Sequence, residues 1–169
     1  MSYSAHDLPD LIADQVEGSG TRVALAESLT CGTVAGMLGR GHGTSAWLRG
    51  GIVAYSTEIK QRVLGVSPGP VVTARCAEEM AAGAAKLFDA EITVSTTGVG
   101  GPGSQEGRPA GTVFVGWYRD GQVGSTEYLF AGDPERVLDQ TVSVALQRLY
   151  EITSDTKRTA TAGDSNLHG

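Results

Sequence analysis

No apolar run in this chain approaches the roughly 18 residues of a membrane-spanning helix, and the amino-terminal MSYSAHDLPD has neither the basic nor the apolar region of a secretory signal. A cytoplasmic protein with no membrane partner is the expectation. Positive charge is also short. Thirteen basic against nineteen acidic side chains leave a net −6, which argues against a nucleic-acid surface built on phosphate neutralisation but leaves a phosphorylated small molecule open as a ligand.

Histidine is sparse. His6, His42 and His168 show no paired-ligand spacing, and the only cysteines are Cys31 and Cys76. Two cysteines cannot staple a disulfide scaffold and have no zinc-type spacing, so they read as free thiols of a reducing compartment. Neither a metal centre nor a histidine-based triad is supported, which removes the commonest hydrolase mechanisms.

Glycine, by contrast, is abundant: 24 of 169 residues, about twice the usual share of roughly 7%. The glycines cluster at 18–20, 32–51, 98–111 and 116–124 and mark loops between elements rather than repeats. With 40% hydrophobic residues, the chain is long enough for one domain with a substantial core and too short for two.

Leu8, Leu11, Ile12 and Val16 fall at helical spacing, predicting a helix near 7–18 that Gly18 and Gly20 stop. RVALA at 22–26 reads as a buried strand, and 30–40 as a helix with Ser28 or Thr30 at its amino end. A strand over 50–55, helices over 57–64 and 74–88 and a strand over 91–96 follow. Strands at 112–117 and 127–130 flank an Asp120–Gly121 hairpin signal, and Asp133–Pro134 opens a last helix to Tyr150. This order predicts a three-layer α/β/α domain, residues 1–151, around a mixed, mostly parallel sheet of about five strands ending in an antiparallel hairpin. Residues 152–169 read as a disordered tail.

Three segments carry chemistry. GGIVAYSTEIK brings Tyr55 and Lys60 to a strand-to-helix corner, where an α/β enzyme presents catalytic groups; beside Ile59 and Val63, Lys60 would have a depressed pKa and serve as a base, although most helical lysines are simply solvated. ALAESLTCG sets Ser28 and Thr30 at a helix start suited to phosphate, or to ordinary capping. The loop at 98–103 fits G-x-G-x-x-G, yet Pro102 and the following SQEGRP cannot open the required helix, so it reads as a pocket wall and not as a dinucleotide fingerprint. Ser45, in GHGTSAWLRGG, is by itself a loop serine among glycines.

The ordered set AES-L-T-C-G, G-T-S-A-W, GGIVAYS-x-E-x-K, TGVGGPG with RPAGTVFV, and FAGD resembles the CinA carboxyl-terminal domain family, the PncC-type nicotinamide-nucleotide amidases, over about residues 8–150. The resemblance implies a stand-alone amidase domain that converts nicotinamide mononucleotide to nicotinate mononucleotide and ammonia by a serine–lysine mechanism, with no metal or cofactor. It implies Ser45 as nucleophile, Lys60 as base, Tyr55 as assistant and Thr97 beside the reacting centre. Ser28, Thr30, Cys31 and Gly32, with Gly98, Gly100 and Gly101, would line the nucleotide site.

The chain departs from the family pattern at several positions. Cys31 replaces a glycine, Thr57 an asparagine, and Pro134 and Leu138 stand where arginines are common, leaving Arg136 as a partial phosphate ligand. A non-catalytic or differently specific nucleotide-binding member is therefore the alternative. A third reading makes Cys31 the nucleophile, with no histidine near it in sequence to activate it. Trp47 and the glycine-rich hairpin point to a homo-oligomer.

Overall fold

The strands alternate between two kinds of face, and that alternation builds the architecture. In the computed structural model, which describes residues 3–163 and side chains as far as Ser154, the chain runs α1 (Leu8–Val16), β1 (Val23–Glu27), α2 (Thr33–Leu38), α3 (Thr44–Trp47), β2 (Leu48–Val53) and α4 (Thr57–Leu64). It continues through α5 (Ala74–Phe88), β3 (Ile92–Gly98), β4 (Thr112–Arg119), β5 (Gln122–Leu129) and α6 (Pro134–Gly163). The sheet order is β2-β1-β3-β4-β5, with β1 parallel to β2 and β3, and β4 antiparallel to both neighbours. β4 alone runs against the common direction. The expected mixed α/β sheet is present.

Side chains of a strand point alternately to opposite faces. On one face Val23, Leu25, Ile92, Val94, Val113 and Val115 pack beneath α1, α2 and α6, against Ile12, Leu38, Leu146 and Leu149. The other face is made of small and hydroxylated residues. Ala26 meets α4 and α5 through Leu64, Met80 and Ala84. Beside it, Thr93 Oγ1 donates to Ala81 O at 2.6 Å, and Ser95 Oγ donates to Ala77 O. A helical carbonyl already engaged within its helix keeps a second lone pair, so the buried hydroxyls are satisfied while the Ala-rich helix lies close to the strands.

The turns follow from local chemistry. Asp120 and Gly121 both have positive φ, the geometry of a two-residue hairpin whose twist matches its strands. Asp133 Oδ1 accepts from Arg136 N at 2.9 Å and caps α6 ahead of Pro134. Several boundaries differ from the sequence expectation. α2 starts at Thr33, not Thr30, because Cys31 and Gly32 take the left-handed conformation and turn the chain first. β2 ends at Val53, leaving Tyr55 beyond the strand. β5 begins at Gln122, and the short α3 was not anticipated.

The largest difference is at the end. α6 continues to Gly163, and Ile152 and Thr153, which the sequence reading assigns to the tail, are buried. The remainder of that tail, residues 164–169, lies outside the described residues. Among the described residues no helix is long and apolar enough to cross a membrane. Trp47 is a core residue, 3% exposed, with its indole N–H donating to His42 O, so it offers no surface for association.

Gly116 marks the tightest approach of α5. A Cβ there would sit 2.3 Å from Ala77 O and 2.5 Å from Ser95 Oγ. Neither atom is a flexible chain end, so Gly116→Ala is expected to destabilise the fold by about 2–3 kcal/mol. Urea unfolding checks this, and an unchanged midpoint would contradict the close packing.

Candidate active site

In a sheet ordered 2-1-3, the connection after β1 leads to one side and the connection after β2 to the other, which opens a crevice beyond the carboxyl ends of the strands. A pocket of about 490 Å³ lies there. Ser28 and Leu29, just past β1, form one wall. Tyr55, Thr57 and Lys60 come from the β2–α4 corner, and Val71 and Val72 from the approach to α5. Thr97 and the glycine loop from Gly98 to Gly103 close the β3 side, with Ser104 and Gln105, while Pro134 and Leu138 of α6 complete the rim.

Lys60 is the centre of the site. Ser56 Oγ accepts from Ile59 N and starts α4, which turns the Lys60 side chain back under the corner. Its Nζ lies 2.9 Å from Ser28 Oγ and 2.9 Å from Tyr55 O, and the residue is 2% exposed. Burial pushes the Lys60 pKa below its ordinary value, against the opposing pull of Cys76 and Glu106. A neutral amine has two N–H groups and one lone pair. With one N–H on Tyr55 O, the lone pair is free to take the Ser28 hydroxyl proton.

The nucleophile assignment changes accordingly. Ser45 lies in α3, before the amino end of β2, whereas Lys60 follows its carboxyl end. A strand of six residues, about 20 Å long, runs between them, and Ser45 does not line the pocket. The expected Ser45–Lys60 pair is therefore not formed; Ser28, expected only as a binding residue, occupies that place. The sequence held the distinguishing signal. Ser28 follows a central strand, while Ser45 precedes one, and the crevice of an open α/β sheet forms beyond carboxyl ends.

Other expected residues divide in the same way. Thr97 lines the pocket but is 1% exposed, with Oγ1 donating to Val71 O at 2.8 Å. Tyr55 touches Lys60 through its carbonyl, and its ring stands 67% exposed at the mouth. Gly98, Gly100 and Gly101 form the loop wall as expected for a pocket element. Thr30, Cys31 and Gly32 are not lining residues: Thr30 Oγ1 shares a buried 2.8 Å hydrogen bond with Thr96 Oγ1, and Cys31 is exposed outside the pocket. Cys31 is thus poorly placed as a nucleophile.

The amino end of α2 is also taken. Glu27, 2% exposed, accepts from Val34 N at 2.8 Å and Ala35 N at 3.0 Å, so a carboxylate already holds the N–H groups expected to receive phosphate. Arg136 corrects a further expectation. It lies with Ala131, Asp139 and Gln140 at a separate depression, because positions 134 and 138 face the pocket and 136 is about 200° away around the helix. Sequence reasoning did not single out Glu106, whose carboxylate accepts from Val71 N and Val72 N and ties the glycine loop to the opposite wall. His42 does come together with Asp14 and Glu17, but this exposed group does not line the pocket.

The CinA C-terminal domain profile matches residues 5–153. A putative competence-damage inducible protein of Listeria innocua is 40% identical over 119 residues, covering 68% of this chain but 29% of that protein. The chain thus spans about a third of the length of several curated relatives it matches. Protein YdeJ of Escherichia coli is 37% identical over 148 residues, covering 84% of this chain and 83% of that protein. The crystal structure of a competence-damaged protein (CinA) superfamily protein from Escherichia coli superimposes with a TM-score of 0.85 at 33% identity, covering 88% of this chain and 90% of that one.

Cys31 has φ 48°, a conformation costly for a residue with a Cβ, so Cys31→Gly is expected to raise stability by about 0.5–1 kcal/mol after the entropic cost of glycine. Thermal unfolding measures it; a loss of stability would show that the thiol makes a compensating contact. For Lys60, the folded state binds its proton less readily than the unfolded state. Wild-type stability relative to Lys60→Met should therefore rise with pH, from the depressed folded value up to about 10.4, and level off above it. A pH-independent difference would contradict a buried, depressed amine.

Proposed function

The chain belongs to the CinA C-terminal domain family, and from that premise and the Ser28–Lys60 contact we propose that it is a serine–lysine amidohydrolase acting on a pyridine carboxamide. The observation that carries this reading is a serine hydroxyl and a buried, pKa-lowered amine 2.9 Å apart at the carboxyl edge of the sheet. Nicotinamide mononucleotide, the substrate implied by the motifs, is the first compound to test.

The chemistry is self-consistent. Neutral Lys60 removes the Ser28 proton as Oγ attacks the carboxamide carbon, giving a tetrahedral oxyanion. Among the described residues the N–H groups of Leu29, Gly100 and Gly101 meet no main-chain acceptor, so they can receive that oxygen. The Lys60 ammonium then returns the proton to the departing nitrogen, releasing ammonia and leaving an acyl-serine. Water, deprotonated by the same amine, attacks the acyl carbon; collapse frees the carboxylic acid and restores the Ser28 hydroxyl.

Release of ammonia from nicotinamide mononucleotide is the direct assay. Ser28→Ala and Lys60→Arg should each lower kcat/KM on the order of a thousandfold, since alanine removes the nucleophile and arginine stays protonated. Ser45→Ala should remain within about twofold of the parent, as expected for a residue outside the machinery. Activity should increase with pH through the depressed Lys60 value and then flatten, because only the neutral amine accepts the proton. Activity lost in Ser45→Ala but kept in Ser28→Ala would reverse the assignment.

A further inference from the structure

The glycine loop breaks a local rule at Glu106. Gln105 N donates to Arg108 O at 3.0 Å and Arg108 N donates to Gln105 O at 2.8 Å, so residues 105–108 form a two-residue hairpin with Glu106 and Gly107 at its tip. Both have positive φ, 53° and 72°. Such a tip favours asparagine, aspartate or glycine at its first position, and a residue with a long side chain gains nothing locally by standing there. What Glu106 gains lies across the pocket. Its Oε1 and Oε2 each accept from Val71 N at 3.0 Å, and Oε2 accepts from Val72 N at 2.8 Å.

Val71 is held from two sides. Thr97 Oγ1 donates to its carbonyl, so β3, the segment before α5 and the glycine loop are joined in one chain of hydrogen bonds. Behind the hairpin, Arg108 fixes the same loop to the sheet: Nη1 donates to Glu127 Oε1 at 3.1 Å, and the guanidinium carbon lies 5.7 Å from the centre of the Phe114 ring. At its base, Gly111 N donates to Val99 O. Gly100, Gly101, Ser104 and Gln105, which line the pocket, lie between that base and the Glu106 contact. A left-handed glutamate kept in place by such a contact is backbone strain retained beside a site.

The carboxylate also reaches the base electrostatically. Cys76 from α5 and Glu106 from the loop are the titratable groups that oppose the effect of burial on the Lys60 amine. Burial pushes the Cys76 thiol up to about 11, so it is uncharged where a lowered lysine titrates. Glu106 is then the anion that the amine senses.

Within the amidohydrolase reading, on which this rests, we infer that Glu106 is a positioning residue: its carboxylate straps the glycine loop to the Val71–Val72 wall, holding the Gly100 and Gly101 N–H groups in place for the oxyanion, and keeps a negative charge near the Lys60 amine. Two variants separate these effects. Glu106→Gln keeps an acceptor oxygen and loses the charge, whereas Glu106→Ala loses both.

The test compares both variants with the parent by NMR, reading amide exchange and the Lys60 titration, and follows ammonia release from nicotinamide mononucleotide across pH. In Glu106→Ala the Val71 and Val72 amides should exchange at least about tenfold faster, and kcat should fall at least about tenfold as the oxyanion donors are displaced. In both variants the Lys60 midpoint should move to lower pH by about half a pH unit or more, because losing a neighbouring anion disfavours the ammonium. The pH dependence of the rate should move with it, and Glu106→Gln should keep kcat within about threefold above that midpoint. A Lys60 midpoint unmoved in Glu106→Gln overturns the inference, and so does parental exchange at Val71 and Val72 or parental kcat in Glu106→Ala. Should Glu106→Ala fail to fold, the Lys60 midpoint of Glu106→Gln decides alone. If the parent releases no ammonia the amidase reading falls, and amide exchange with the Lys60 midpoint still decides the strap and its charge.

Discussion

A buried amine has to give up its water shell, and the corner of the sheet is arranged around that requirement. Lys60 replaces water with Ser28 Oγ and Tyr55 O, one past the end of β1 and one between β2 and α4. The same two contacts fix the relative position of those segments. α4 is held at both ends, by the Ser56 cap and by Gly65 in the left-handed conformation with Val66 N donating to Lys60 O, so the lysine backbone has little freedom to shift. Removing the charge from water lowers the pKa, and fixing the backbone aims the lone pair; one packing arrangement produces the base and its direction.

The two faces of the sheet divide the labour. Branched side chains beneath α1 and α6 supply most of the buried apolar surface and hence most of the driving force for folding. On the α5 face, Ser95, Thr93 and Gly116 trade that surface for a short approach of helix to strand. Thr97 continues this hydroxylated line to the pocket floor, where its bond to Val71 O ties β3 to the segment before α5. Glu106 makes a second tie to the same segment from the glycine loop.

Much of the fold was legible because its signals are local. The periodicity of 57–64 and 74–88, the Asp120–Gly121 turn and the Asp133–Pro134 cap each name their structure within a few residues. The pocket's membership was legible only in part, since it depends on which strand ends meet. Tyr55 and Lys60 follow the carboxyl end of β2, Thr97 and Gly98 close β3, and these residues line the pocket with the glycine loop that follows. The family resemblance pairs Ser45 with Lys60, although β2 carries the chain from one to the other across the sheet. Glu27 as a helix cap and Glu106 as a loop tie are contacts between distant segments, and nothing in their immediate neighbours announces them.

α6 lines the pocket with Pro134 and Leu138 of its first turns and reaches the core with Val137 there and with its later turns. Leu138 looks onto the site, while Leu146, Leu149 and Ile152 are buried farther along the same rod, the last about 21 Å away at 1.5 Å per residue. An unbroken helix transmits rotation as faithfully as translation. One residue inserted between Leu138 and Leu146 would turn everything beyond it by about 100°, so either the pocket wall or the core stripe would face the wrong way. The length of this helix is therefore phase-locked: over evolutionary time it can be lengthened freely at its far end, but between pocket and core only by steps that restore the angular register.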